Sequence, residues 1–264
     1  MQRIVGLVQR YPLVSFFVLA YVFAWGLVLL TRVSMAFGFL ALFGPAAAAL
    51  IVAACAEGRV GVRALLAHVA IWRVGLRWYL VALGLPALLA LGVIGLQVAL
   101  GAPAMLELGA LSPLTLLLFV LVIGEELGWR GFALPRLQAR YGALGASLIL
   151  GLLWAAWHLS NQLIPGLEHY GSGFPAFAAY VVPMTVLFTW VATHTRGSVL
   201  LAWLFHGAIN SPIVIGPPID TVQRWWLSAA VYGVCALIIV LAGGLRHTDA
   251  ARVPAAEAMP LAGR

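Results

Sequence analysis

The sequence predicts an all-α fold, a polytopic membrane helical bundle with about eight transmembrane helices, and three observations carry that prediction. The first is composition: 64% hydrophobic residues against 9% charged, with a mean hydropathy of +1.05, far from the balance of a soluble domain. The second is patterning. Eight stretches of seventeen or more residues carry no Asp, Glu, Lys or Arg: 11 to 31, 33 to 56, 78 to 106, 108 to 124, 141 to 167, 170 to 193, 197 to 219 and 225 to 245. Each can cross a hydrocarbon core, which takes about 20 helical residues. The third is charge asymmetry. All fifteen basic residues are arginines, and a cytoplasmic N-terminus followed by eight spans puts all but Arg32 and Arg224 on the inner side.

Taken in order, the run 11 to 31 follows Arg3 and Arg10 as a secretory signal would, but it is too long for an h-region and no cleavage site follows, so it reads as a retained anchor. In 57 to 77 the arginines Arg59, Arg63, Arg73 and Arg77 fall on one helical face opposite Leu65, Val69 and Trp72, the pattern of an interfacial helix on the cytoplasmic surface. Residues 1–245 are expected to form a single transmembrane helical domain, and 246–264 a cytoplasmic disordered tail, being poor in large apolar residues. Both termini are then cytoplasmic. The net charge of +7 is dispersed over membrane-flanking segments, so anionic lipids are the partner it implies and nucleic acid is not. Cys55 and Cys235 sit in apolar runs without a CxxC pair and read as packing residues.

Polar residues that interrupt the apolar pattern are the candidates for chemistry, because burying a carboxylate demands a partner or a function. In "EELGWR", Glu126 and Arg130 are four apart and can pair on one helix face; Glu125 lies about 100° away and needs something else. In "WAAWHLSN", His158 follows Trp154 by one turn; by itself a lone histidine on an apolar helix is a packing residue. In "FHGAIN", His206 and Asn210 share a face and suit either chemistry or interhelical hydrogen bonding. Ser160, Asn161, His169 and His194 fall at span ends or loops, where solvation explains them, as it does for His68 and His247. At 1.5 Å per residue from an inner boundary near Arg136, Tyr141 and Ser198, Glu125 lies roughly 16 Å deep, His158 roughly 25 Å and His206 roughly 12 Å. Helix tilt closes part of that gap and not all of it.

Brought together in a cavity open to the cytoplasm, a carboxylate and a histidine can hold a water and act as a general base. His206 and Asn210 can then donate to the oxyanion of a tetrahedral intermediate. The same Glu125, His158 and His206 could instead be a zinc set, although no HExxH is present. A scaffold that binds a peptide or membrane partner without catalysis is a further reading, and a proton-coupled transporter another.

EExxxR at Glu125, Glu126 and Arg130, an aromatic-xxx-His at Trp154 and His158, and HxxxN at His206 and Asn210, in that order across successive spans, resemble the CPBP intramembrane proteases. That family includes the Ras-converting CAAX endopeptidases and bacterial proteins linked to bacteriocin processing and self-immunity. The motif-bearing core runs from about 111 to 212. The resemblance implies a glutamate-dependent, metal-independent endopeptidase that needs no cofactor. Glu125 would be the water-activating base, His158 its partner, and His206 with Asn210 the oxyanion hole, while Glu126, Arg130 and Trp154 occupy supporting positions. Trp154 departs from the phenylalanine of many members. The implied substrate is a membrane-anchored peptide or protein cut near its C-terminus, with its lipidation left open; the alternative within the family is a non-catalytic bacteriocin-immunity scaffold. Abundant Arg and Ala with no Lys suggest a GC-rich bacterial genome, and hence a bacterial inner membrane as the location.

Overall fold

Prolines and short polar side chains set where many of the helices begin. The computed structural model describes residues 2–110, 112–165, 167, 170–171, 173–211 and 213–246; His169 and all of the expected tail 246–264 beyond Arg246, His247 included, lie outside the described residues. A short helix α1 (Gln2–Arg10) precedes α2 (Pro12–Leu29), then a 3-10 turn (Leu30–Arg32), α3 (Ala36–Ala41), α4 (Gly44–Ala67) and α5 (Leu76–Ala99). A two-residue strand β1 (Glu107–Leu108) leads to α6 (Pro113–Leu121) and α7 (Ile123–Glu126). After a π-helical stretch, Leu127–Ala133, come α8 (Leu134–Trp157), α9 (Leu159–Leu163), α10 (Phe174–His194), α11 (Val199–Asn210), β2 (Val214–Ile215) and α12 (Thr221–Leu241). Proline stands in the first turn of α2, α4, α6, α8 and α10, where its missing N–H costs no helical hydrogen bond. Ser112, Ser198 and Asp220 cap α6, α11 and α12 by accepting backbone N–H bonds.

The protein is an all-α polytopic membrane bundle. Six segments are long and apolar enough to cross a membrane among the described residues, and they partition the eight expected runs differently. The greater parts of the runs 108 to 124 and 141 to 167 fall in one 51-residue apolar segment, Pro113–Leu163, because the chain between them keeps winding instead of forming a loop. The run 197 to 219 supplies only the 12-residue α11, about 18 Å of helix, before β2. The expected interfacial helix appears as the last part of α4: Gly58, at φ 63° and ψ −149°, breaks the helix and turns 59–67 away from 44–57. Only glycine enters that backbone region freely. Gly142 (φ 68°, ψ 174°) breaks α8 in the same way, and Arg136, from the part before that break, pairs with Glu57 at 2.7 Å. From Ala70 to Gly75 the interfacial segment is not helical.

Side-chain pairings fix the relative direction of the central helices. Gln138 reaches Thr193, Trp154 packs on Phe188 and His158 on Phe177, so α8 and α10 run antiparallel. The tight turn 195–198 returns the chain, with Phe205 against Phe188, so α11 runs parallel to α8. At the start of these two helices the arginine-rich segments are tied together: Arg196 donates to the Arg73 carbonyl at 2.7 Å and Ser198 to that of Ile71 at 2.6 Å. At the opposite end, β1 and β2 pair antiparallel, Glu107 opposite Ile215 and Leu108 opposite Val214.

Candidate active site

The EExxxR segment reaches the middle of the bundle because its glycines let it lie directly on other backbones. A Cβ at Gly124 would sit 2.7 Å from the Leu42 carbonyl oxygen, and one at Gly128 2.5 Å from the Pro45 Cβ. This four-residue spacing of glycines is the small-residue face that brings membrane helices into close approach. It seats α7 and the π-helical stretch against the start of α4 and leaves Glu125, Glu126, Trp129 and Arg130 turned into the core, all at most 2% exposed. π-Helical turns recur at functional sites.

Glu126 accepts from two cationic or ionisable donors. Arg130 Nη1 lies 2.9 Å and His206 Nδ1 2.7 Å from its Oε1. The expected i,i+4 pair with Arg130 is present, and His206 joins it from a helix 80 residues away in sequence. The Arg130 guanidinium lies against two aromatic faces, with Cζ 4.1 Å from the Trp154 ring centroid and 3.7 Å from that of Phe188. Cation–π attraction strengthens in such a desolvated place. Glu126 Oε2 and Arg130 Nε and Nη2 are buried without a hydrogen-bond partner among the described residues.

Glu125, which has no place in that ion pair, accepts two indole hydrogen bonds at Oε2: from Trp154 Nε1 at 2.8 Å and from Trp129 Nε1 at 3.3 Å. Trp129 escaped the sequence reading, although its position four residues after Glu125 on a helix was a usable signal. Trp154 also links the three motifs. Its ring meets that of His206 edge-on at 5.3 Å and that of His158 at 5.7 Å, and its carbonyl is 2.9 Å from His158 Nδ1. A carbonyl only accepts, so His158 Nδ1 carries a proton and, in the neutral ring, Nε2 keeps the lone pair.

The structure thus brings Glu125, Glu126, Arg130, Trp154 and His206 into one buried cluster, with His158 one turn past Trp154. Exposure rises toward the ends of α8 and α11: His206 is 5% exposed, His158 is half-buried and Asn210 is exposed. That end is the one carrying the β1–β2 pair, opposite the arginine-rich end. The Asn210 side chain makes none of the side-chain hydrogen bonds found among the described residues, whereas His194 and His68 each bond a carbonyl of their own helix, as ordinary helix-end residues do. Among those residues no three His, Cys, Asp or Glu side chains are grouped so as to hold a metal ion.

An all-α integral membrane protein with a carboxylate, histidine and tryptophan cluster in its core is the class that fold and site define. Residues 107–212, the motif-bearing region, match the Rce1-like family, described as type II CAAX prenyl endopeptidase Rce1-like. Over 105 residues the chain is 34% identical to CAAX prenyl protease 2 of Methanococcus maripaludis; the shared stretch covers 37% of this chain and 38% of that protein.

Proposed function

We propose that the protein is an intramembrane glutamate-dependent endopeptidase that hydrolyses a peptide bond of a membrane-associated substrate. Support comes from the family match over 107–212, from a relative named a CAAX prenyl protease, and above all from the convergence of Glu125, Trp154 and His206 on one buried point. In this reading Glu125 and His158 activate a water, whose proton passes to the Glu125 carboxylate as its oxygen attacks the scissile carbonyl. His206 and Asn210 donate to the oxyanion, and Glu125 returns the proton to the leaving amine. Because Nδ1 of His206 faces Glu126, the oxyanion donor is its Nε2–H. A ring protonated at both nitrogens supplies both bonds, with the Glu126 carboxylate facing it and the Arg130 guanidinium together. No cofactor enters the scheme.

The abundance of Arg and Ala without Lys favours a bacterial inner membrane, and the arginine distribution favours both termini, and the expected tail, being cytoplasmic, with anionic lipids around the basic end. With that orientation His158 and Asn210 lie toward the outer end of the bundle, against the expectation of a cavity open to the cytoplasm. The substrate class is a membrane-anchored peptide or protein, lipidated or not.

The test is cleavage of a panel of fluorogenic membrane-anchored peptides, prenylated and plain, by purified protein in nanodiscs. Wild type, Glu125→Gln and His158→Ala are compared with and without chelator. Chelator-resistant cleavage that disappears in the folded variants is expected. Equal inactivity of all three, with partner binding retained, would favour a non-catalytic immunity scaffold.

A further inference from the structure

The two adjacent glutamates have partners of opposite kinds. Glu126 is clasped by a guanidinium and an imidazole, while among the described residues the Glu125 carboxylate accepts from two indole N–H groups, both on the same oxygen, Oε2. We infer that Trp129 and Trp154 are positioning residues that hold Glu125 through Oε2 and reserve Oε1 for the attacking water. This inference rests on the reading of Glu125 as the base.

Three features carry it. Indole nitrogen is a donor with no acceptor lone pair. A proton taken from water therefore cannot pass to either partner and must stay on the carboxylate, at the oxygen that no indole occupies. Second, the partners are neutral. Protonating a carboxylate in an ion pair discharges the pair, as it would for Glu126; one held by two neutral donors keeps its partners and its orientation and remains a base. Third, the donors are themselves immobile. Trp154 is 1% exposed and carries Arg130 on its face at 4.1 Å. Trp129 is 0% exposed and is wedged edge-on between Phe16, at 5.4 Å, and Trp157, at 5.8 Å. Contact with the guanidinium draws electron density from the Trp154 ring, which makes its N–H the better donor and ties the geometry of the Glu126–Arg130 pair to that of Glu125. A phenylalanine at 154 would keep the wall and lose the hydrogen bond.

The experiment uses the full chain in nanodiscs, with Trp129→Phe, Trp154→Phe, the double variant, and Trp190→Phe as a control away from the site. Ultraviolet resonance Raman difference spectra isolate each indole among the ten tryptophans and report hydrogen bonding at Nε1. The marker bands of Trp129 and Trp154 are expected to shift when Glu125→Ala is introduced, and that of Trp190 to stay. On a peptide that wild type cleaves, each site variant is expected to lose about 10- to 100-fold in kcat at nearly constant KM, with an altered pH profile, since small misplacements of a catalytic group cost on this scale. Trp190→Phe retains the wild-type profile. Unshifted bands overturn the inference whatever the activity, and so does an unchanged kcat and pH profile in the double variant. Band shifts in a wild type that cleaves no peptide leave the hydrogen bonds standing and instead remove the base they were to serve.

Discussion

His206 Nδ1 lies 2.7 Å from the same Glu126 oxygen that accepts from Arg130 at 2.9 Å, so one carboxylate oxygen joins α7, the π-helical stretch and α11. Both partners of the ion pair are almost wholly excluded from solvent. Removing one member of such a pair leaves a buried charge uncompensated, which costs about 3–5 kcal/mol. Glu126→Gln should therefore lower the thermal unfolding midpoint in detergent markedly, and it should abolish cleavage as well. Replacing Glu126 and Arg130 together by apolar residues of similar volume should restore much of the stability and none of the activity. A Glu126→Gln protein as stable as wild type would show that the pair does not hold these elements together.

The close seat of the motif segment on α4 gives a second expectation. Gly128→Ala places a methyl group 2.5 Å from the Pro45 Cβ and 2.7 Å from its carbonyl oxygen, neither of which is the movable end of a flexible chain. Overpacking of this kind costs about 1–3 kcal/mol, and here it also displaces Glu125. Gly84→Ala in α5, with open space around the new methyl, is the matched control and should be neutral or slightly stabilising. Equal unfolding midpoints for the two variants would contradict the packing.

Asn210 offers a cleaner separation of chemistry from stability. It is exposed at the end of α11, so Asn210→Ala should leave the unfolding midpoint within experimental error. If it donates to the oxyanion, kcat falls by about 10²- to 10³-fold, the scale for losing one such donor. A drop in KM affinity with kcat preserved would instead assign it to substrate binding.

How much of this was legible in the sequence depends on the range of the interaction. The Glu126–Arg130 pair was readable because both residues lie on one helix four apart, and the apolar runs gave the helical membrane class directly. The Glu126–His206 contact was not, because no local rule reports which face of α11 meets α7. Depth counting from straight helices separated His158 from Glu125 and showed no link between them. In the structure Trp154, one turn before His158, spans the gap with its indole, and the π-helical stretch carries Trp129 and Arg130 into the same space. The short α11 was overestimated because charge-free length was taken as helix length. Pro217 and Pro218, with β-branched Ile213, Val214 and Ile215 before them, already argued against helix through that run.

The direction from which the site is reached follows from helix polarity and can be tested independently of any substrate. α8 and α11 run parallel, and both begin at the end that carries Arg136, Arg140 and Arg196; the exposed members of the cluster lie at the other end, beside β2. If the arginine-rich end is cytoplasmic, a cysteine at Asn210 or Ile215 should react with a membrane-impermeant maleimide on intact spheroplasts. One at Arg59 should react only after permeabilisation. Cys55 and Cys235, both half-buried and free, are replaced by serine in this background. Labelling of Arg59→Cys alone on intact cells would invert the orientation and return the site to the cytoplasmic side. Labelling of both positions from one side would contradict the antiparallel path of α10 between α8 and α11 and, with it, the geometry of the cluster.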